Sequence, residues 1–126
     1  MIECEILTKS RLDKIRLTSE RYDQLHQLEK NKEELGELKA ELDLAFADEQ
    51  RGVCLPPATW AEYADMFYTS IQVIMQHGRE ADVLAALDYK INRQLNRMLE
   101  AGLISAEEFE RYGGTETEKC SDRWSV

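Results

Sequence analysis

Two pairs of acidic residues stand at helical spacing, and each pair could hold one side of a cation. Glu34 and Glu37 form the first pair, with Glu33 directly before them. Glu62 and Asp65 form the second pair. Residues three apart lie on one face of a helix, so each pair is a fork of two carboxylates. Carboxylates that meet at about 4 Å repel by roughly 1 kcal/mol in water and about 4 kcal/mol at an effective dielectric near 20. Such a cluster therefore needs partial protonation, pairing with Lys or Arg, or a bridging cation.

The residue types in these forks indicate which metal ion would bind. Oxygen ligands from carboxylates alone favour a hard ion, Mg²⁺, for which Mn²⁺ can substitute. A di-iron carboxylate bundle would need two Glu-x-x-His pairs. The two histidines, His26 and His77, do not follow a glutamate by three residues. The sequence therefore predicts a magnesium site rather than a di-iron site.

Cationic residues recur on a later predicted helix, at Lys90, Arg93 and Arg97. Side chains of this kind could hold the outer phosphates of a nucleotide while Mg²⁺ neutralises the inner ones. An ordinary solvated helix face explains the same three residues. Both interpretations stay open at this point.

The acidic forks lie on two predicted helices that carry matching polar stripes. From 60 to 75 the sequence is apolar nearly all round, and Trp60 and Phe67 are expected in the core. Apart from Ser70, the polar residues of this helix share one narrow stripe: Glu62, Asp65, Thr69, Gln72 and Gln76. The preceding helix has a stripe of the same period: Gln27, Lys30, Glu34, Glu37 and Glu41. We expect the two stripes to lie against each other. A purely structural explanation for Glu62 is a capping box, in which Thr59 is the N-cap of the helix and Glu62 is the residue three positions later that bonds back to it.

Helices are also predicted over most of the rest of the chain. Ser10 is a candidate cap for an early helix, and residues 11–48 form either one helix or two. A loop is expected over 49–58, a helix over 80–101, and a short helix opened by a capping box at Ser105. We predict two regions: a helical domain over 1–102 that carries both acidic forks, and a short helix with a flexible tail over 103–126.

Composition and charge limit the function classes. The chain has 126 residues, of which 43% are hydrophobic, and a net charge of −9. An acidic protein without a dense basic surface is not expected to bind nucleic acid. The three cysteines form no CxxC pair, which favours reduced thiols. Without a signal-peptide pattern or a long apolar run, we expect a cytoplasmic protein that does not enter the membrane.

In motif order the sequence resembles the MazG-like, all-α nucleoside triphosphate pyrophosphohydrolases. That family carries an EExxE motif, then ExxD on the next helix, then a basic helix. Here EExxE is residues 33–37, ExxD is residues 62–65, and the basic helix runs through 90–97. Gln27 and Lys30 match a lead-in often seen there, and the similarity covers roughly residues 20 to 100.

The resemblance implies an all-α bundle completed by homo-oligomerisation, as a homodimer or homotetramer. It implies Mg²⁺-dependent hydrolysis of a nucleoside or deoxynucleoside triphosphate between the α and β phosphates, giving a monophosphate and pyrophosphate. The implied metal ligands are Glu34, Glu37, Glu62 and Asp65. The implied catalytic residues are Glu33, Glu34 and Glu37, and the implied phosphate-binding residues are Lys90, Arg93 and Arg97. The alternative is a non-catalytic helical oligomerisation or adaptor protein whose acidic stripes are ion-paired to those three cations.

Overall fold

In a computed structural model that describes residues 6–47 and 55–115, every regular element is a helix. The helices in chain order are α1 (Lys9–Ser19), α2 (Gln24–Ala47), α3 (Pro57–Gln76), α4 (Glu80–Glu100) and α5 (Ala106–Arg111). The all-α prediction is confirmed for these ranges. Most of the loop predicted over 49–58, and the tail beyond residue 115, lie outside the described residues. None of the described helices combines the length and apolar character that crossing a membrane requires.

The first predicted stretch divides into two helices because separate capping signals act on each. The Thr8 hydroxyl accepts a hydrogen bond from the backbone N–H of Arg11 at 3.2 Å and caps α1. The prediction of Ser10 as this cap is wrong, since Ser10 already lies inside the helix. Asp23 accepts from the backbone N–H of His26 at 3.0 Å where α2 begins. Each hydroxyl or carboxylate satisfies one of the donors that a helix start leaves unpaired.

Helix α3 begins three residues earlier than predicted. Pro56 is its N-cap and Pro57 its first residue, a position that suits the fixed φ of proline. Thr59 is consequently inside the first turn, fully buried, and is not the cap. The capping-box explanation of Glu62 is therefore wrong. The helix ends where Gly78 adopts a φ of 64°, which places its N–H and that of Arg79 on the last carbonyls.

The described residues form two units, one ending at Arg79 and one beginning at Glu80. In the first unit α2 packs along α3, and α1 packs on α3 as well. In the second unit α5 packs on α4 and opens with the predicted capping box of Ser105 and Glu108. The predicted division into 1–102 and 103–126 stays a prediction.

The buried surface of α3 is its polar stripe rather than its apolar one. Its buried residues are Thr59, Thr69 and Gln72. Trp60 is 57% exposed and Phe67 40% exposed, so the expectation that they lie in the core is wrong for the single chain. Among the described residues the buried hydrophobic side chains are Ile15 and Leu38. Burying polar groups costs free energy unless they are hydrogen-bonded, so the contacts along this stripe decide what it does.

Candidate metal centre

A hydrogen-bonded seam joins the polar stripes of α2 and α3. Gln27 Nε2 donates to Gln72 Oε1 at 2.8 Å, and both side chains are almost fully buried. One turn further along α2, Asn31 Nδ2 donates to Thr69 Oγ1 at 3.0 Å and to Ser70 Oγ at 2.9 Å. The predicted meeting of the two stripes is confirmed. The seam pairs later residues of α2 with earlier residues of α3, so the helices run antiparallel.

At its acidic end the seam brings three carboxylates together. Three residues each offer one carboxylate oxygen here: Glu34 of α2, and Glu62 and Asp65 of α3. These three oxygens lie within 4.8 Å of one another. Glu34 is 5% exposed, Glu62 is half-buried and Asp65 is exposed. We call these three residues the acidic triad. It is closed on the side of α2 and open to solvent on the side of Asp65, which is the form a site for an exchangeable ligand requires.

Two triad oxygens are buried without a hydrogen-bond partner among the described residues. They are Glu34 Oε2 and Glu62 Oε2. The hydroxyl of Thr59, one turn before Glu62, is also buried without a partner. A buried acceptor that is left unsatisfied carries its full desolvation cost, and a charged one costs more. A cation at the triad would supply the missing interaction for both carboxylates. Glu34, at 5% exposure, is therefore not an ordinary surface residue of a helix.

Lys30 neutralises part of this negative charge. Its ammonium Nζ lies 3.0 Å from Glu34 Oε1 and 3.7 Å from Glu33 Oε2. The hydrogen bond to Glu34, followed by the charge of Glu33, raises the pKa of Lys30 above its ordinary value. The lysine therefore stays charged, but it contacts Oε1 of Glu34 and leaves Oε2 unpaired. One cation does not balance three converging carboxylates.

The other two acids of the EExxE motif flank the triad rather than join it. Glu37 is exposed and lies outside the 4.8 Å group, yet its carboxyl is close to that of Glu34. The charge of Glu34, then a hydrogen bond with the Glu34 carboxylate and burial, raise the pKa of Glu37, with a smaller contribution from Glu62. Glu33 is exposed on the outer side of Lys30. The structure thus unites three of the four predicted metal ligands and places the fourth within electrostatic reach. The catalytic roles of Glu33 and Glu37 stay predictions.

The predicted phosphate-binding residues lie on α4 in the second unit. The Arg93 guanidinium lies 5.8 Å from the centroid of the Tyr89 ring, in a cation–π contact. Between the cations, Asn92 and Asn96 hold the backbone of Thr115 through hydrogen bonds of 2.8–2.9 Å. These amides therefore have a structural task. The role predicted for Lys90, Arg93 and Arg97 stays a prediction.

Sequence reasoning missed a cavity of about 390 Å³ that begins at the triad. Glu34 and Asp65 line it, and so do Tyr22 and His26, whose rings stack with centroids 5.3 Å apart. The i, i+4 spacing of these two rings was available in the sequence. The contribution of α1 through Thr18 was not, because no local pattern fixes where α1 packs.

The chain matches no protein-family model, no curated protein and no solved structure.

Proposed function

We propose that this protein is a Mg²⁺-dependent nucleoside triphosphate pyrophosphohydrolase of the MazG-like kind. The observation that carries the proposal is the acidic triad, in which oxygens from two helices converge while two of them are buried without a partner. The order of the acidic motifs along the sequence supports the same conclusion. Water would attack one of the two phosphorus atoms of the α–β anhydride, and the bridging P–O bond would break. The products are a nucleoside monophosphate and pyrophosphate.

The donor set of the triad fits a magnesium ion. All three ligands are carboxylates, and one side faces solvent, which leaves room for water and phosphate oxygens. Glu34, Glu62 and Asp65 would hold the ion, with Glu37 as the nearest further carboxylate. When bound, Mg²⁺ neutralises phosphate charge and acidifies a water molecule.

Side chains beside the triad on α2 supply further tasks of the proposed reaction. The Lys30 ammonium beside Glu34 can hold a phosphate oxygen at the triad end of the cavity. Glu33 and Glu37 flank Glu34 and are the carboxylates left to orient the attacking water and accept its proton. For the outer phosphates we propose Lys90, Arg93 and Arg97 of α4, and the order of the motifs along the sequence is what supports this role.

The test is hydrolysis of a panel of nucleoside triphosphates with Mg²⁺ and with EDTA, analysed for both products. We expect monophosphate and pyrophosphate in equal amounts, only with the metal. Asp65→Asn keeps the shape of an exposed side chain but removes its charge, and we expect turnover to fall about 10–100-fold. Glu29→Gln, an exposed substitution on α2, is the matched control. Release of inorganic phosphate instead of pyrophosphate, or unchanged turnover in Asp65→Asn, would refute the proposal.

A non-catalytic oligomerisation or adaptor protein is the second candidate. The exposure of Trp60 and Phe67 favours it, because exposed apolar patches commonly mark protein interfaces. A homodimer or homotetramer that covers this face would also be compatible with catalysis. Thermal unfolding with and without Mg²⁺ separates the candidates, since only a metal-binding protein gains stability from the ion.

A further inference from the structure

The cavity beside the acidic triad has the size and position of a ligand site. Its volume of about 390 Å³ lies in the range of small-molecule pockets. Residues of α1, α2 and α3 line it, all within the first unit. His26 and Glu34 are eight residues apart on α2, so the cavity follows the helix for about 12 Å. An extended nucleoside monophosphate can bridge that length.

The lining changes character from one end to the other. The triad end carries Glu34, Asp65 and the Lys30 ammonium. The far end carries uncharged amides, hydroxyls and aromatic rings. A nucleotide has the same polarity, with charged phosphates at one end and a neutral base at the other. Inorganic phosphates have no part that matches the uncharged end. On this ground we propose that the cavity binds the nucleoside of the substrate, an inference that rests on the function proposed above.

The Tyr22–His26 pair provides the surface on which a base would stack. The two rings lie 21° from parallel, and both side chains are exposed rather than part of a core. Gln76 Nε2 donates to the backbone oxygen of Tyr22 at 2.8 Å, which ties the turn before α2 to the end of α3. The pair is therefore held at the mouth of the cavity before a ligand arrives. Stacking on such rings accepts any base.

A hydrogen-bonded chain orients the amides that would contact the base edge. Tyr68 Oη and Gln72 Nε2 both donate to Thr18 Oγ1, at 2.8 and 2.9 Å. Because Gln72 uses its nitrogen there, its oxygen accepts from Gln27 Nε2. Gln27 lines the cavity beside Gln72 and is fixed by this bond, so its amide is the group that we assign to the edge of the base.

The experiment is equilibrium binding to the full chain in Mg²⁺, measured by calorimetry. The probes are the common nucleoside monophosphates and ribose 5-phosphate, which lacks the base. We expect at least one monophosphate to bind about tenfold or more tightly than ribose 5-phosphate, the scale of one good stacking contact. Tyr22→Ala and His26→Ala should each remove most of this difference. Tyr112→Ala and His77→Ala replace exposed residues of the same types elsewhere and should leave it unchanged.

The wild-type comparison needs no variant, so it stands even if a substitution disturbs folding. Equal affinity for ribose 5-phosphate and every monophosphate would overturn the inference, as would full base-dependent affinity in both Tyr22→Ala and His26→Ala. Base-dependent binding without hydrolysis of any triphosphate would support the nucleoside cavity and refute the pyrophosphohydrolase. If the protein hydrolyses triphosphates but binds ribose 5-phosphate as tightly as the monophosphates, the nucleoside-binding role of the cavity is refuted and the proposed activity is not.

Discussion

Replacing Glu62 with glutamine should stabilise the metal-free protein and weaken its response to magnesium. Glu62 Oε2 is buried without a partner, and oxygens of Glu34 and Asp65 lie within 4.8 Å of its carboxylate. At that distance two unit charges repel by about 0.9 kcal/mol in water and about 3.5 kcal/mol at an effective dielectric of 20. Glu62→Gln keeps the side-chain volume and removes the charge. We expect it to stabilise the metal-free chain by about 1–3 kcal/mol.

Thermal unfolding in EDTA and in a series of Mg²⁺ concentrations, at constant ionic strength, measures both effects. For a chain of this length each kcal/mol shifts Tm by about 3–6 °C. In EDTA the variant should melt above the wild type. With Mg²⁺ at about 100 times Kd the wild type should gain about 2.7 kcal/mol, and the variant much less.

Glu29→Gln on the exposed face of α2 is the matched control and should follow the wild type in both conditions. The reasoning would be refuted if Glu62→Gln melted below the wild type in EDTA. Equal gains of wild type and variant from Mg²⁺ would also count against it, because the ion would then bind elsewhere.

Three further outcomes follow from the same structure. Lys30→Met removes the ion pair with the buried Glu34, so its Tm in EDTA should fall and Mg²⁺ should restore more of it than in the wild type. The folded-state pKa of Glu37 is raised above its unfolded value, so the folded state binds more protons between the two values. Metal-free stability should therefore fall as pH rises from about 4.5 through that raised pKa, and urea titrations of Glu37→Gln should show a weaker fall. Leu38→Ala opens a cavity at one of the few buried apolar side chains and should cost about 2–5 kcal/mol in the same urea titrations.

The polar seam was predictable because helical periodicity alone determines which residues share a face. Gln27 and Glu34 recur at the same spacing as Gln72 and Asp65, and the structure places these faces in contact. The triad follows from that contact, since Glu62 and Asp65 are three residues apart on α3. Periodicity does not set how far along the seam two helices are shifted. That shift is why Glu34 joins the triad and Glu37 lies beside it.

Other features depend on tertiary packing or on competing local signals. Because residues 60–75 are apolar on most sides of the helix, the sequence predicts that Trp60 is buried. Burial requires neighbouring elements, and the sequence of one helix does not specify them. Thr59 was expected to cap α3, but the favourable position of Pro57 moved the start of the helix. The cavity needed α1, whose place on α3 depends on long-range bonds such as that from Gln72 to Thr18.

The most direct measurement is a crystal structure of the protein soaked with Mn²⁺, with anomalous scattering recorded at the manganese edge. The anomalous signal locates the ion without reference to any assumed ligand. We predict a peak within coordination distance of Glu34, Glu62 and Asp65, with Glu34 Oε2 or Glu62 Oε2 turned onto the ion. A peak elsewhere, with no signal at these three carboxylates under the same soak, would contradict a metal centre and with it the proposed hydrolysis.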